Sequence, residues 1–125
     1  MTNITVYAYD DGRLHGFMAS GHAGGKKVRG YDLVCCAVSV LTQTGVNALE
    51  SITGVAPEVV VEDGFLRCRL SDTLDDAQME KAQIILRTVM QGLTDIQKIY
   101  PTLVRIQRKE WRQTDAYDES SALRS

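Results

Sequence analysis

The sequence predicts a single α+β domain, a sheet packed with two long helices in the order ββαββαβ, and three observations predict it. Two segments alternate apolar and polar residues around the turns Asp10-Asp11-Gly12 and Glu62-Asp63-Gly64, which is the signature of hairpins. Two longer segments carry apolar residues at helical spacing between capping residues and helix stops. A last short run of strand character follows Pro101. Hairpins with interspersed helices give sheet-and-helix layers rather than a doubly wound parallel sheet.

The first strand is predicted over residues 3–9, Asn-Ile-Thr-Val-Tyr-Ala-Tyr, and the second from Arg13 to Ser20. Between Gly21 and Gly30 lie four glycines and three cations, which remove backbone restriction and apolar anchoring, so a mobile loop is expected. A helix is expected from Asp32, its natural N-cap, to about Ile52, stopping before Gly54 and Pro57. On a wheel of about 100° per residue its core stripe is Val34, Val38, Leu41, Gly45, Ala48, Leu49 and Ile52. Cys35 falls on the flank of that stripe with Ser39, and Cys36 falls roughly opposite it. Further apolar residues, Leu33 and Val40, suggest packing on two sides, as in a central helix or a dimer contact.

A second hairpin pairs residues 58–61 with 65–70. Ser71, Asp72 and Thr73 offer caps for the second helix, whose apolar positions run from Leu74 to Ile96. The last strand is predicted over residues 102–107. The domain is expected to end at 109, with 110–125 a polar tail that carries Trp111 and Tyr117 as its large apolar groups.

A chain of 125 residues suits one core, and 44% hydrophobic and 24% charged residues are ordinary globular values. A formal net charge of -2 gives no reason to expect nucleic acid or membrane as a direct partner. The N-terminus has no basic residue ahead of an apolar run, and no stretch approaches the ~18 apolar residues of a spanning helix, so a cytoplasmic protein is expected. Three cysteines, two of them neighbours, are poor material for a disulfide framework. Adjacent Cys35 and Cys36 are equally poor zinc ligands, and Gly24-Gly25-Lys26-Lys27 lacks the phosphate-loop spacing. No metal and no cofactor are expected.

A cysteine in the first turn of a helix meets unpaired N–H groups and the positive end of the helix dipole, both of which favour the thiolate. Cys35 stands three residues after the cap Asp32. His22 sits where the second strand gives way to the glycine loop, with twelve residues between it and Cys35, so the loop can go out and return to bring strand end and helix start together. A Cys-His pair needs that proximity. On placement alone, a helical cysteine is more often a buried small hydrophobe than a nucleophile. Asp32 is most simply a cap, though a carboxylate there could also orient His22. Ser39 could bond substrate or its own helix. His15, Cys36 and Cys68 are read as structural.

Gly21-His22-Ala23 and Gly30-Tyr31-Asp32-Leu33-Val34-Cys35-Cys36-Ala37-Val38-Ser39 resemble the signature of the Prp family, the ribosomal-processing cysteine proteases, and the element order agrees over about residues 2–108. The resemblance implies a homodimeric endopeptidase that removes the N-terminal extension of a large-subunit ribosomal protein, the L-twenty-seven protein, cutting after an aromatic residue. It maps the catalytic dyad onto His22 and Cys35, with Asp32 and Ser39 as orienting or substrate-binding residues. The segment containing Gly24, Gly25 and Gly30 becomes a flexible flap over the site. Cys36 stands where the family usually has alanine, and the tail after Lys109 is longer than the common core. Two other classes compete on the residues alone: a non-catalytic ribosome-associated dimer that binds an extended peptide on a sheet edge, and a thiol redox sensor using Cys35 with Cys36 or Cys68.

Overall fold

The computed structural model describes residues 1–21, 27–28 and 31–111. His22, Gly24, Gly25 and Gly30, and the tail from 112 onward, lie outside the described residues. The elements are β1 Thr2–Ala8, β2 Leu14–Ser20, β3 Lys27–Val28, β4 Tyr31–Asp32, α1 Leu33–Thr53, β5 Glu58–Glu62, β6 Phe65–Arg69, α2 Asp76–Ile99 and β7 Val104–Glu110. This is the expected α+β order, with one addition: β3 and β4 pair as a two-residue antiparallel ribbon within the segment read as a loop.

The five-stranded sheet runs β5-β6-β2-β1-β7. Its neighbours are antiparallel except β7, which lies parallel to β1 with Thr2 opposite Val104 and Ala8 opposite Glu110. A parallel neighbour requires a long crossover, which α2 supplies. Strand alternation puts Ile4, Val6, Phe17, Ala19, Leu66, Cys68 and Val104 on one face, all buried. Val34, Val38 and Leu49 of α1 and Ala82, Leu86, Val89 and Leu93 of α2 join the same cluster. Where the helices meet, Val89 occupies the space over Gly45, and Leu41 that over Gly92.

Asp32 caps α1, and Gly54, at φ 81°, ends it in the left-handed conformation that glycine adopts without strain. The buried stripe is Val34, Val38, Thr42, Gly45, Leu49 and Thr53. Ile52 is therefore not core: it is 52% exposed. Thr53 takes its place because its hydroxyl donates to Leu49 O while its own carbonyl accepts from Gln78 Nε2 at 3.1 Å, which ties the end of α1 to the start of α2. The cap of α2 is Asp75 rather than Ser71, Asp72 or Thr73. Asp75 and Gln78 form a reciprocal capping box, which satisfies two N–H groups where the earlier residues could satisfy one. By length and a mean hydropathy of 1.3, α1 meets the criterion for a membrane-spanning segment, contrary to expectation; its buried stripe is built into the core described above. Gln83 clamps α2 to the sheet, accepting from Leu14 N and donating to Leu14 O, both at 2.7 Å.

The predicted tail begins too early. β7 continues to Glu110, Trp111 N donates to Ala8 O at 2.7 Å, and the Trp111 ring stacks on His15 at 4.4 Å and meets Tyr7 edge-on. This cluster covers the sheet face away from the helices. His15 is 4% exposed, its Nδ1 hydrogen-bonds Tyr9 Oη at 2.6 Å, and burial, with Arg69 nearby, pushes its pKa down to about 4. A histidine held neutral in the fold binds its proton more readily once unfolded, so its contribution is complete above pH 6.5 and lost as pH falls towards 4. The loss is of the order of 3 kcal/mol. Chemical denaturation at pH 7 and pH 4.5 should show this fall in the parent and a smaller one in His15→Phe; equal falls would remove His15 as the cause.

Candidate active site

The N-terminus of α1 reaches the sheet beside the end of β2, and between them opens a cleft of about 660 Å³. The start of α1 supplies its cap Asp32 and then Cys35, Cys36 and Ser39; β2 supplies Ala19, with Gly21 just after it; the β5–β6 hairpin closes the other side with Val61 through Leu66. Adjacency of β2 and β6 produces this arrangement, since Ser20 pairs with Phe65 and Gly21 N donates to Gly64 O at 2.8 Å. The hairpin was legible as a hairpin. That its turn would wall the cleft depends on the strand order, which no local pattern carries.

Cys35 is the third residue of α1, half-buried, packed on its inner side against the core and open on the other to the cleft. Cys36 is exposed and also lines the cleft, so it is not the packing residue expected. One residue of helix turns it by about 100° away from the core stripe. Cys68 is fully buried on β6, as expected of a packing residue, and burial pushes its thiol up to about 12. It is chemically inert at neutral pH.

Asp32 has extended backbone (φ -84°, ψ 112°), and its Oδ1 accepts from Val34 N at 3.0 Å and Cys35 N at 3.1 Å. Asp32 therefore does cap the helix. Two N–H groups of the helix start are occupied by its carboxylate. Ser39, one turn beyond Cys35, is exposed and lines the cleft.

Gly21, at φ 86°, ends β2 in a conformation that side chains rarely adopt, and a Cβ there would stand 2.6 Å from Met1 O. It is a cleft residue, and His22 is its immediate successor in the chain. The structure thus brings Asp32, Cys35 and Ser39 to one cleft, while His22 lies outside the described residues. Sequence reasoning missed Thr2, a cleft residue whose hydroxyl is buried and has no hydrogen-bond partner among the described residues. Among the described residues no group of three or more His, Cys, Asp or Glu side chains could hold a metal ion. A half-buried thiol at a helix start, open to a cleft with the apolar walls Val38, Val61, Phe65 and Leu66, can attack a carbonyl of a bound chain.

Residues 1–105 match the family model described as cysteine protease Prp. The chain is 29% identical over 111 residues to the ribosomal processing cysteine protease Prp of Staphylococcus aureus, covering 87% of this chain and 100% of that protein. It is 26% identical over 108 residues to the protein of the same name from Bacillus subtilis, covering 85% and 96%. Among solved structures it is similar to the Staphylococcus aureus protease in complex with a covalently linked product peptide, with a TM-score of 0.76, 29% identity and coverage of 87% and 100%. It is also similar to SMU.848 from Streptococcus mutans, with a TM-score of 0.75, 28% identity and coverage of 89% and 96%.

Proposed function

The chain belongs to the Prp family of cysteine proteases, and on that premise we propose that it removes the N-terminal extension of the large-subunit ribosomal protein L-twenty-seven, cutting after an aromatic residue, with Cys35 as nucleophile and His22 as base. The observation that carries this reading is the half-buried Cys35 thiol on the cleft, at the start of α1 and across from Gly21. Apolar walls of Val38, Val61, Phe65 and Leu66 suit a large ring beside the reacting carbonyl. Cys35 attacks the scissile carbonyl, His22 protonates the departing amine, and water hydrolyses the acyl-enzyme. A relative holds a covalently linked product peptide, which favours this reading over the non-catalytic peptide-binding module.

Purified protein incubated with a peptide that spans the aromatic-ended extension should yield a single cut, read by mass spectrometry. An intact peptide after prolonged incubation would sink the reading. We extend the proposal to a cytoplasmic homodimer. Leu33 and Val40 are 50% and 60% exposed on the outer side of α1, and a second copy would cover such residues. Sedimentation equilibrium tests the dimer.

Asp32 acts in this scheme as the helix cap. Asp32→Asn keeps an oxygen for Val34 N and Cys35 N, so kcat should stay within about threefold of the parent, while Asp32→Ala should cost about 0.5–2 kcal/mol of stability. A fall in kcat of about a hundredfold or more in Asp32→Asn, with unchanged thermal stability, would instead make Asp32 the group that orients His22.

A further inference from the structure

Gln43 is the last residue of α1 to line the cleft. Cys35, Ser39 and Gln43 follow one another at intervals of four residues and all border it, so they form one ridge of the helix surface. Each step along that ridge rises about 6 Å. Two residues of an extended chain advance about 6.7 Å. A peptide lying along the ridge with its scissile carbonyl at Cys35 therefore brings a main-chain group to Ser39 two residues on, and to Gln43 four residues on.

Both walls of the cleft suit such a chain. The side chains of Ser39 and Gln43 are exposed and make no hydrogen bond among the described residues, so binding a peptide breaks no internal contact. The amide of Gln43 both donates and accepts, as a peptide group does. Across the cleft, Val61 pairs with Leu66 and shares its face of the sheet. Leu66 is buried in the core, but Val61, on the edge strand β5, is 59% exposed. The helices thus leave an apolar strip of the sheet uncovered opposite a polar ridge, continuous with the thiol. An extended peptide fits between them with its main chain towards α1 and alternate side chains towards Val61.

We propose that Gln43 is a substrate-binding residue that holds the main chain of the peptide four residues from the cleaved bond, and so makes the enzyme selective for extended peptides that reach at least that far on one side of the cut. The inference rests on the peptidase reading above and extends it from the reacting bond to the length of chain recognised. Its test uses fluorescein-labelled peptides that share one aromatic cut site and are lengthened one residue at a time on either side. A second set replaces the amide at the fourth residue by an ester, which removes the N–H and weakens the carbonyl as an acceptor.

For the parent, kcat/KM should rise about three- to tenfold when the fourth residue is added on one side, and the change should lie in KM. Gln43→Ala should lose that step with kcat unchanged. Thr44→Ala, an exposed neighbour that does not line the cleft, should keep it. Affinities measured by fluorescence anisotropy on Cys35→Ala should fall by a similar factor for the ester peptide, and this penalty should vanish when Gln43→Ala is added. No step at the fourth residue on either side, a step that survives in Gln43→Ala, or an ester penalty of equal size with and without Gln43 would overturn the assignment. If the Gln43-dependent ester penalty appears in binding but the parent cuts none of the peptides, the assignment of Gln43 holds and the peptidase reading fails.

Discussion

Cys35→Ala is expected to reduce cleavage of the extension peptide by at least about a thousandfold, with Cys36→Ala retaining most of the parent activity. Losing a nucleophile costs this much because the remaining groups can only bind and polarise the substrate. The three thiols differ enough in surroundings for the experiment to be decisive. Cys68 is fully buried with its thiol pushed up to about 12. Cys36 borders the cleft but stands exposed on the outer side of α1. Only Cys35 combines the third helical position with packing on one side and the cleft on the other. Initial rates would be measured beside thermal melts, since Cys35→Ala removes one sulfur from a half-buried position and should leave folding nearly unchanged. The acyl-enzyme should be trapped by mass spectrometry on the peptide containing Cys35 in both the parent and Cys36→Ala. Full activity in Cys35→Ala together with loss in Cys36→Ala would overturn the assignment and make Cys36 the nucleophile.

Much of this site is written locally in the chain. Asp32 followed by an apolar-periodic run specifies the helix start, so the position of Cys35 in the first turn follows from capping chemistry alone. Gly54 marks the end of the same helix for the same kind of reason. The reading drifted where tertiary contacts choose among local options. Ser71, Asp72 and Thr73 can each cap a helix, but only Asp75 finds Gln78 three residues on. The stripe of α1 shifts from Ile52 to Thr53 because Gln78 of α2 awaits the Thr53 carbonyl. Trp111 looked like tail because its partners, Tyr7, His15 and Arg69, are distant in sequence and come together only once β7 lies parallel to β1. The acidic hairpin turn became a cleft wall for the same non-local reason, through the pairing of β2 with β6.

Gly16→Ala is expected to be the most damaging single substitution in the sheet. Gly16 sits in β2 with β1 on one side and β6 on the other, opposite Tyr7 and Arg69. A Cβ there would stand 2.1 Å from Cys68 O and 3.0 Å from Arg69 Cα. Both are backbone atoms, so no rotamer change relieves the overlap, and β6 itself has to move. Moving it weakens the bond of 2.9 Å from Leu70 N to His15 O, draws Cys68 out of the core, and disturbs Arg69, which lies over the Trp111 ring at 5.0 Å. Overpacking relieved by side chains costs about 1–3 kcal/mol. Relief through a central strand should exceed that, at about 3 kcal/mol or more, which lowers Tm by roughly 10 °C in a domain of this size. Gly12→Ala is the control: at φ 92° it strains the backbone but meets nothing within 4 Å, so it should cost only about 1 kcal/mol. A Gly16→Ala protein no less stable than Gly12→Ala would refute the argument. Because β6 leads back to Phe65 and to Gly64, whose carbonyl holds Gly21 N, any Gly16→Ala protein that folds should also show a raised KM. The spacing of two strands thus reaches the peptide cleft through one shared hairpin.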